Sequence, residues 1–145
     1  MVSIWGTVDP MSTRAEPETD ERALDLAYDV LQARCPSRLT LEHVTGRWGT
    51  LIMLALYEGP VRFNELRRRV AGVSEKMLSQ GLQALERDGF VAREVLSTMP
   101  PRVEYRLTDL GLETHRRLKE LAVFLESRMP EVEAAQARYE AGGNA

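Results

Sequence analysis

Apolar positions recur along this chain with a helical period up to about residue 87, alternate between residues 90 and 107, and return to a helical period after Thr108; those changes mark the predicted elements. Trp48 to Tyr57 is nearly all apolar, which predicts a central buried helix ended by Gly59-Pro60. Phe63 to Val70 reads as a short amphipathic helix, Ala71-Gly72-Val73 as a turn, and Ser74 to Arg87 as a second helix. In that helix Met77, Leu78, Leu82 and Leu85 form one stripe, expected to face the core. Its other side presents Glu75, Lys76, Ser79, Gln80, Gln83 and Arg87. Phe90 to Leu96 and Arg102 to Leu107 then read as two strands, with Val103, Tyr105 and Leu107 on one face and Arg102, Glu104 and Arg106 on the other. Pro100 and Pro101 cannot donate ladder hydrogen bonds, so Ser97 to Pro101 is expected at the tip.

The flanks carry helical patterns as well. Leu24, Tyr28 and Leu31 predict a first helix over residues 21–34, stopped by Cys35-Pro36 because proline disfavours helix in the residue before it. A short helix is expected near Leu39 to Val44, broken by Thr45-Gly46. Thr108-Asp109 caps a last long helix, along which Leu110, Leu118, Leu121, Leu125 and Met129 recur until Pro130 interrupts. Residues 131–139 can add a loose helical tail. Residues 1–20 show no period and are rich in Ser, Thr, Pro, Asp and Glu, so disorder is expected there. The expected organisation is a disordered tail over 1–20, one folded domain over 21–129 and a C-terminal tail over 130–145. The fold class is mainly α (α+β). Helix, glycine-containing turn, helix and basic-tipped hairpin is the order of a winged helix-turn-helix, here with a two-stranded wing and flanking dimerisation helices.

Charge changes this picture only locally. The net charge is -3 and the pI about 5.5, which by itself argues against tight binding to nucleic acid. Residues 1–34 hold seven acidic and three basic side chains, and residues 108–145 seven and five. Residues 35–107 hold eight acidic and eleven basic, so the acidity sits in the arms and the central module is mildly basic.

The candidate chemistry is therefore recognition of double-stranded DNA. On the helix from Ser74, Lys76, Ser79, Gln80 and Gln83 are the types that reach base edges in a major groove. Ser74, at the helix start, would aim free amides at phosphate. Arg67, Arg68, Arg87 and Arg102 are candidate contacts to the DNA backbone. Each also has a plain alternative: any surface helix has a polar outer face, an arginine run can be a solvated face, and the hairpin can be an ordinary exposed one. Consecutive arginines also point in different directions around a helix, so the run Arg67-Arg68-Arg69 can offer only one or two to a single phosphate track.

With those residues in view, the chain resembles the HxlR-type family of bacterial winged-helix regulators, related in fold to the MarR group. The resemblance runs from Cys35-Pro36 to about Phe124. It is carried by Gly46-Arg47-Trp48, Arg62-Phe63-Asn64-Glu65-Leu66, Val73-Ser74-Glu75-Lys76-Met77-Leu78-Ser79, Leu82 to Gly89 and Pro100 to Thr108. It implies a homodimeric transcription factor on a palindromic operator, a repressor rather than an activator, responding to an electrophile, an oxidant or a small molecule. It also implies a dimer surface from the first and last helices, with Leu24, Tyr28, Leu31, Leu118, Leu121 and Leu125 as its candidates; the alternative is that both helices pack on their own domain. Cys35 matches a cysteine that senses redox change or electrophiles in part of the family. Arg34 and Arg38 would favour its thiolate and the end of a preceding helix would oppose it; the alternative is a small hydrophobe at a helix junction. Two positions depart from the family pattern. Gly81 stands where arginine is frequent, which would remove a phosphate contact, and Phe124 where tryptophan is frequent.

Other functions find little support. There is no glycine-rich phosphate loop, no nucleophile elbow and no HExxH, so neither catalysis nor a cofactor is expected. One cysteine and two histidines, His43 and His115, cannot assemble a Cys/His metal site. The longest apolar run is too short to cross a bilayer and residues 1–15 do not read as a signal peptide, so no membrane partner and a cytoplasmic location are expected. The main rival reading is a winged-helix protein-interaction module without a specific operator.

Overall fold

The computed structural model describes residues 28–142, which fall into two units meeting between Leu41 and Glu42. In the first unit the chain from 28 to 35 runs as turns, so the helix expected to reach Arg34 does not. The Asp29 carboxylate accepts the Leu31 amide at 3.0 Å, and Gln32 N–H bonds the Asp29 carbonyl at 2.9 Å. This local capture of amides competes with a helical ladder. Pro36 then opens the next helix, because its missing N–H is one that the first turn leaves unused. Helix α1 is thus Pro36–Thr45, three residues longer at its start than the pattern suggests. The disordered tail expected over 1–20, and Leu24, lie outside the described residues.

In the second unit the elements follow as α2 (Arg47–Ala55), β1 (Val61–Arg62), α3 (Phe63–Arg69), α4 (Glu75–Arg87), β2 (Val91–Thr98), β3 (Pro101–Leu107), α5 (Asp109–Ser127) and α6 (Met129–Gly142). Thr108 caps α5, its hydroxyl oxygen accepting the Gly111 amide at 3.0 Å, with Asp109 in the first turn. The helix breaks at Arg128 and Pro130 falls inside the first turn of α6, which buries none of its residues.

The sheet is antiparallel in the order β1-β3-β2. The expected two-stranded wing is present as β2 and β3, paired from Val91↔Leu107 to Thr98↔Pro101, with a bulge between Val95 and Ser97. Pairing continues further than expected, so the tip shrinks to Met99-Pro100, tied by the Ser97 hydroxyl to the Pro100 carbonyl at 2.6 Å. The third strand, β1, pairs Val61 with Tyr105 and Arg62 with Glu104. Two residues are too few to show any period, which is why the sequence pattern does not reveal it.

One core joins these pieces. Ile52 and Met53 of α2, Leu66 of α3, Leu78, Leu82 and Leu85 of α4, and Val91 of β2 are fully buried, together with Leu56. Two expectations change here. Met77 is 39% exposed rather than core: it lies about 100° around the helix from Leu78, on the flank of the leucine stripe. Leu118, a candidate for a dimer surface, is buried in the domain's own core where α5 packs on α2 and β3. Gly81 has a packing role that the sequence does not announce: a Cβ there would stand 2.7 Å from the δ-methyl of Ile52.

A double-mutant cycle measures that last contact. Gly81→Ala adds helix propensity of about 1 kcal/mol but must push the buried Ile52 methyl aside. Denaturant unfolding is expected to show the substitution about 1 kcal/mol more favourable in an Ile52→Val background than in the wild type. Additivity of the two changes would remove the contact from the account.

Candidate nucleic-acid interface

The helix-turn-helix is built by α3, the turn after it and α4. Val70 and Val73 are both buried on either side of Ala71-Gly72, and the Val73 amide bonds the Val70 carbonyl at 3.2 Å. Gly72 has φ +89°, a conformation that side chains other than hydrogen disfavour, and this lets the chain reverse in so few residues. Ser74 is the N-cap of α4, its hydroxyl oxygen accepting the Met77 amide at 3.1 Å. At the other end Asp88 is the C-cap, and its carboxylate meets His43 Nδ1 at 2.6 Å, fastening the end of α4 to the last turn of α1. His115 lies apart, its Nδ1 at 3.1 Å from the Met53 carbonyl.

With Leu78, Leu82 and Leu85 buried, the far side of α4 faces solvent. Lys76, Gln80, Gln83 and Arg87 are exposed and Ser79 is half-buried. Ser79, Lys76 and Glu75 line an open recess with Phe63, whose ring packs partly on the core. A second groove, of about 600 Å³, runs between α3 and the wing. Arg62, Asn64 and Arg68 line one side of it and Arg102 and Glu104 the other. Arg102 is exposed beside the wing tip, as its position in the hairpin predicts.

The arginine run of α3 is not a bare cationic face. Arg68 meets the Glu65 carboxylate at 2.6 Å and Arg69 meets it at 3.3 Å, while Arg69 also donates to the Ala55 carbonyl at 3.0 Å. The Arg68 and Arg69 guanidiniums hold the Glu65 carboxyl below its ordinary pKa. Arg67 reaches Glu75 of α4 at 3.4 Å. Arg67 and Arg68 are both largely exposed, and Arg69 acts mainly as a strut to the end of α2. The pattern missed Arg62, hidden in the two-residue β1, and it missed the pairing of Glu75, already placed on the outer face of its helix, with an arginine of the preceding one.

Cys35 belongs to the N-terminal unit. Its sulfur accepts the Asp29 amide at 3.0 Å and lies 3.1 Å from the Ser37 hydroxyl. These hydrogen bonds, that from Ser37 first, hold its pKa below that of an ordinary thiol; burial and the Asp29 carboxylate oppose them. Since residues 28–35 form no helix, the opposing helix C-terminus expected before Cys35 is absent, and the thiol stands instead at the start of α1.

Residues 43–133 match the family described as HxlR-like helix-turn-helix. The chain belongs to this family. It is 53% identical over 103 residues to the HTH-type transcriptional regulator YtfH of Escherichia coli K12, covering 71% of this chain and 82% of that protein. The structure of the YtfH transcriptional regulator of Salmonella typhimurium superposes with a TM-score of 0.72 at 49% identity, over 77% of this chain and 99% of that one. The redox regulator HypR, in its reduced form, superposes with a TM-score of 0.63 at 34% identity, over 68% and 98%. The chain is thus a helix-turn-helix regulator with the winged fold. Among the described residues of this HxlR-like protein no helix is long and apolar enough to cross a membrane.

Two outcomes are expected from this geometry. Ser74→Ala removes the α4 cap and should cost about 1 kcal/mol of stability, read by chemical unfolding; no loss would show the cap to be redundant. Ser37→Ala should raise the pH midpoint of Cys35 alkylation by iodoacetamide, because it removes the main hydrogen bond favouring the thiolate. An unmoved midpoint would contradict that role.

Proposed function

We propose that this HxlR-like protein is a cytoplasmic homodimer that binds a palindromic DNA operator sequence-specifically and represses transcription. The observation that carries the reading is the two-sided character of α4: a fully buried leucine stripe backs an exposed row of Lys76, Gln80 and Gln83. Glutamine bridges adenine edges, lysine reaches guanine, and Ser79 contacts either. Arg67, Arg68, Arg87 and Arg102 hold the backbone, and Ser74 directs the first amides of α4 toward phosphate. A second copy covers the exposed Leu121, Phe124 and Leu125 of α5, and in the N-terminal unit Tyr28 and Leu31 are exposed as well. Leu118 has no part in that surface. Half-site centres should lie about one turn of DNA, roughly 10 bp, or a multiple of it apart.

The likeness to HypR, named a redox regulator, supports Cys35 as a sensor of oxidants or electrophiles. Cys35 has no second cysteine in its own chain, so the chemistry is intermolecular. Two thiols of a dimer lose two electrons to the oxidant and two protons to solvent and form a disulfide. Alternatively, the oxidant takes two electrons from Cys35 and a low-molecular-weight thiol, which lose two protons and join as a mixed disulfide, or the Cys35 thiolate adds to a quinone ring, which is reduced to the hydroquinone level as it takes up the protons.

Fluorescence titration on the DNA upstream of the protein's own gene is expected to show tighter binding than to a scrambled duplex. The log–log salt slope should shrink by about 0.9 for each arginine contact removed. Equal binding to both duplexes at physiological salt would leave the interaction-module reading. For the sensor, diamide should weaken operator binding of the wild type and leave Cys35→Ser unaffected. The same response in both proteins would remove Cys35 from the mechanism.

A further inference from the structure

We propose that Glu75 is a specificity-determining residue: it restrains Arg67 in the free protein and, on the operator, accepts a hydrogen bond from the exocyclic amino group of a cytosine. This rests on α4 being the base-reading helix. Glu75 is the first residue of α4, and the N-terminal residues of a reading helix are those that lie against base edges. Its side chain is 72% exposed, and it shares the open recess in front of α4 with Phe63, Lys76 and Ser79. A carboxylate is therefore set among the groups that would meet the bases.

A carboxylate can only accept hydrogen bonds. Against the major-groove edge it is matched by the cytosine N4 amino group; it meets an acceptor at thymine O4 or at guanine O6 and N7, and at adenine an N7 acceptor beside the N6 amino group. It thus selects by repulsion as well as attraction. In the free protein the same carboxylate stands 3.4 Å from the Arg67 guanidinium. That pair is exposed and weak, so a phosphate can displace it. Until that happens it lowers the positive charge that a random duplex meets, just as Glu65 does for Arg68 and Arg69. On a matching site, phosphate takes Arg67 and cytosine takes Glu75 together. On a site that places thymine or guanine there, freeing Arg67 leaves the carboxylate facing acceptors.

The test compares full-length wild type with Glu75→Gln on three duplex sets. They are a random-sequence duplex, the site that the wild type selects from a random pool, and versions of that site with each C·G pair changed to T·A. Glu75→Gln should bind the random duplex about threefold to tenfold more tightly at low salt, and adding Arg67→Gln should abolish that gain. The wild type should lose about tenfold or more at one C·G pair, where Glu75→Gln loses little, since an amide both donates and accepts. Random-duplex affinity that is unchanged or weaker in Glu75→Gln, or equal losses at every C·G pair in the two proteins, would overturn the proposal. A wild type that selects no sequence would sink the operator reading along with it. A selected sequence indifferent to Glu75 would sink this inference alone.

Discussion

The rotation of α4 about its own axis is the constraint on which the rest of this structure depends. Leu78, Leu82 and Leu85 lie within about 60° of one another around the helix and are all buried. Burying a leucine side chain contributes about 1.5–3 kcal/mol, so turning the helix by one residue would expose several kcal/mol of apolar surface. It would also drive Lys76 or Gln80 toward a core with no partner for them. The outward aim of the polar row is thus the far side of an apolar contact. Capping and a side-chain hydrogen bond refine it: Ser74 marks where α4 begins, and the His43–Asp88 contact ties down where it ends.

The electrostatics of the same surface work against a simple reading of its composition. The central module carries an excess of positive side chains, yet Glu65 engages Arg68 and Arg69, and Glu75 engages Arg67. Exposed pairs of this kind contribute little to stability and are screened by salt. Their larger consequence is for association, because they reduce the field that any duplex meets at a distance. A modestly charged surface with acceptors and donors at fixed positions depends more on contact geometry than on long-range attraction. That suits a protein whose arms, and whose net charge, are acidic.

Much of the fold was legible in the chain because it is built from long runs with a clear period. The helices α2 to α5 and the hairpin follow from the switch between helical and alternating patterns, and both Ser74 and Thr108 announce their helices by side-chain chemistry. The misreadings share a cause. Residues 28–35 carry a helical apolar pattern, but the Asp29 side chain captures a local amide and the chain turns instead. Met77 and Gly81 sit on the boundary of the buried stripe, where a rotation of a few tens of degrees decides exposure. Leu118 could serve either its own core or a partner by pattern alone. The candidate site was legible as a set of residue types along α4, while the pairing of Arg67 with Glu75 joins two helices across a turn whose geometry no period encodes.

Local chemistry determined the element types, their order, the caps and the polar character of the outer face of α4, since these depend on residues a few positions apart. Tertiary structure alone decided which flank of each stripe is covered, where β1 adds to the wing, that Gly81 packs against Ile52, and which arginines meet which carboxylates. Those outcomes depend on distances between segments far apart in sequence, set by how side chains of particular volumes fill one core.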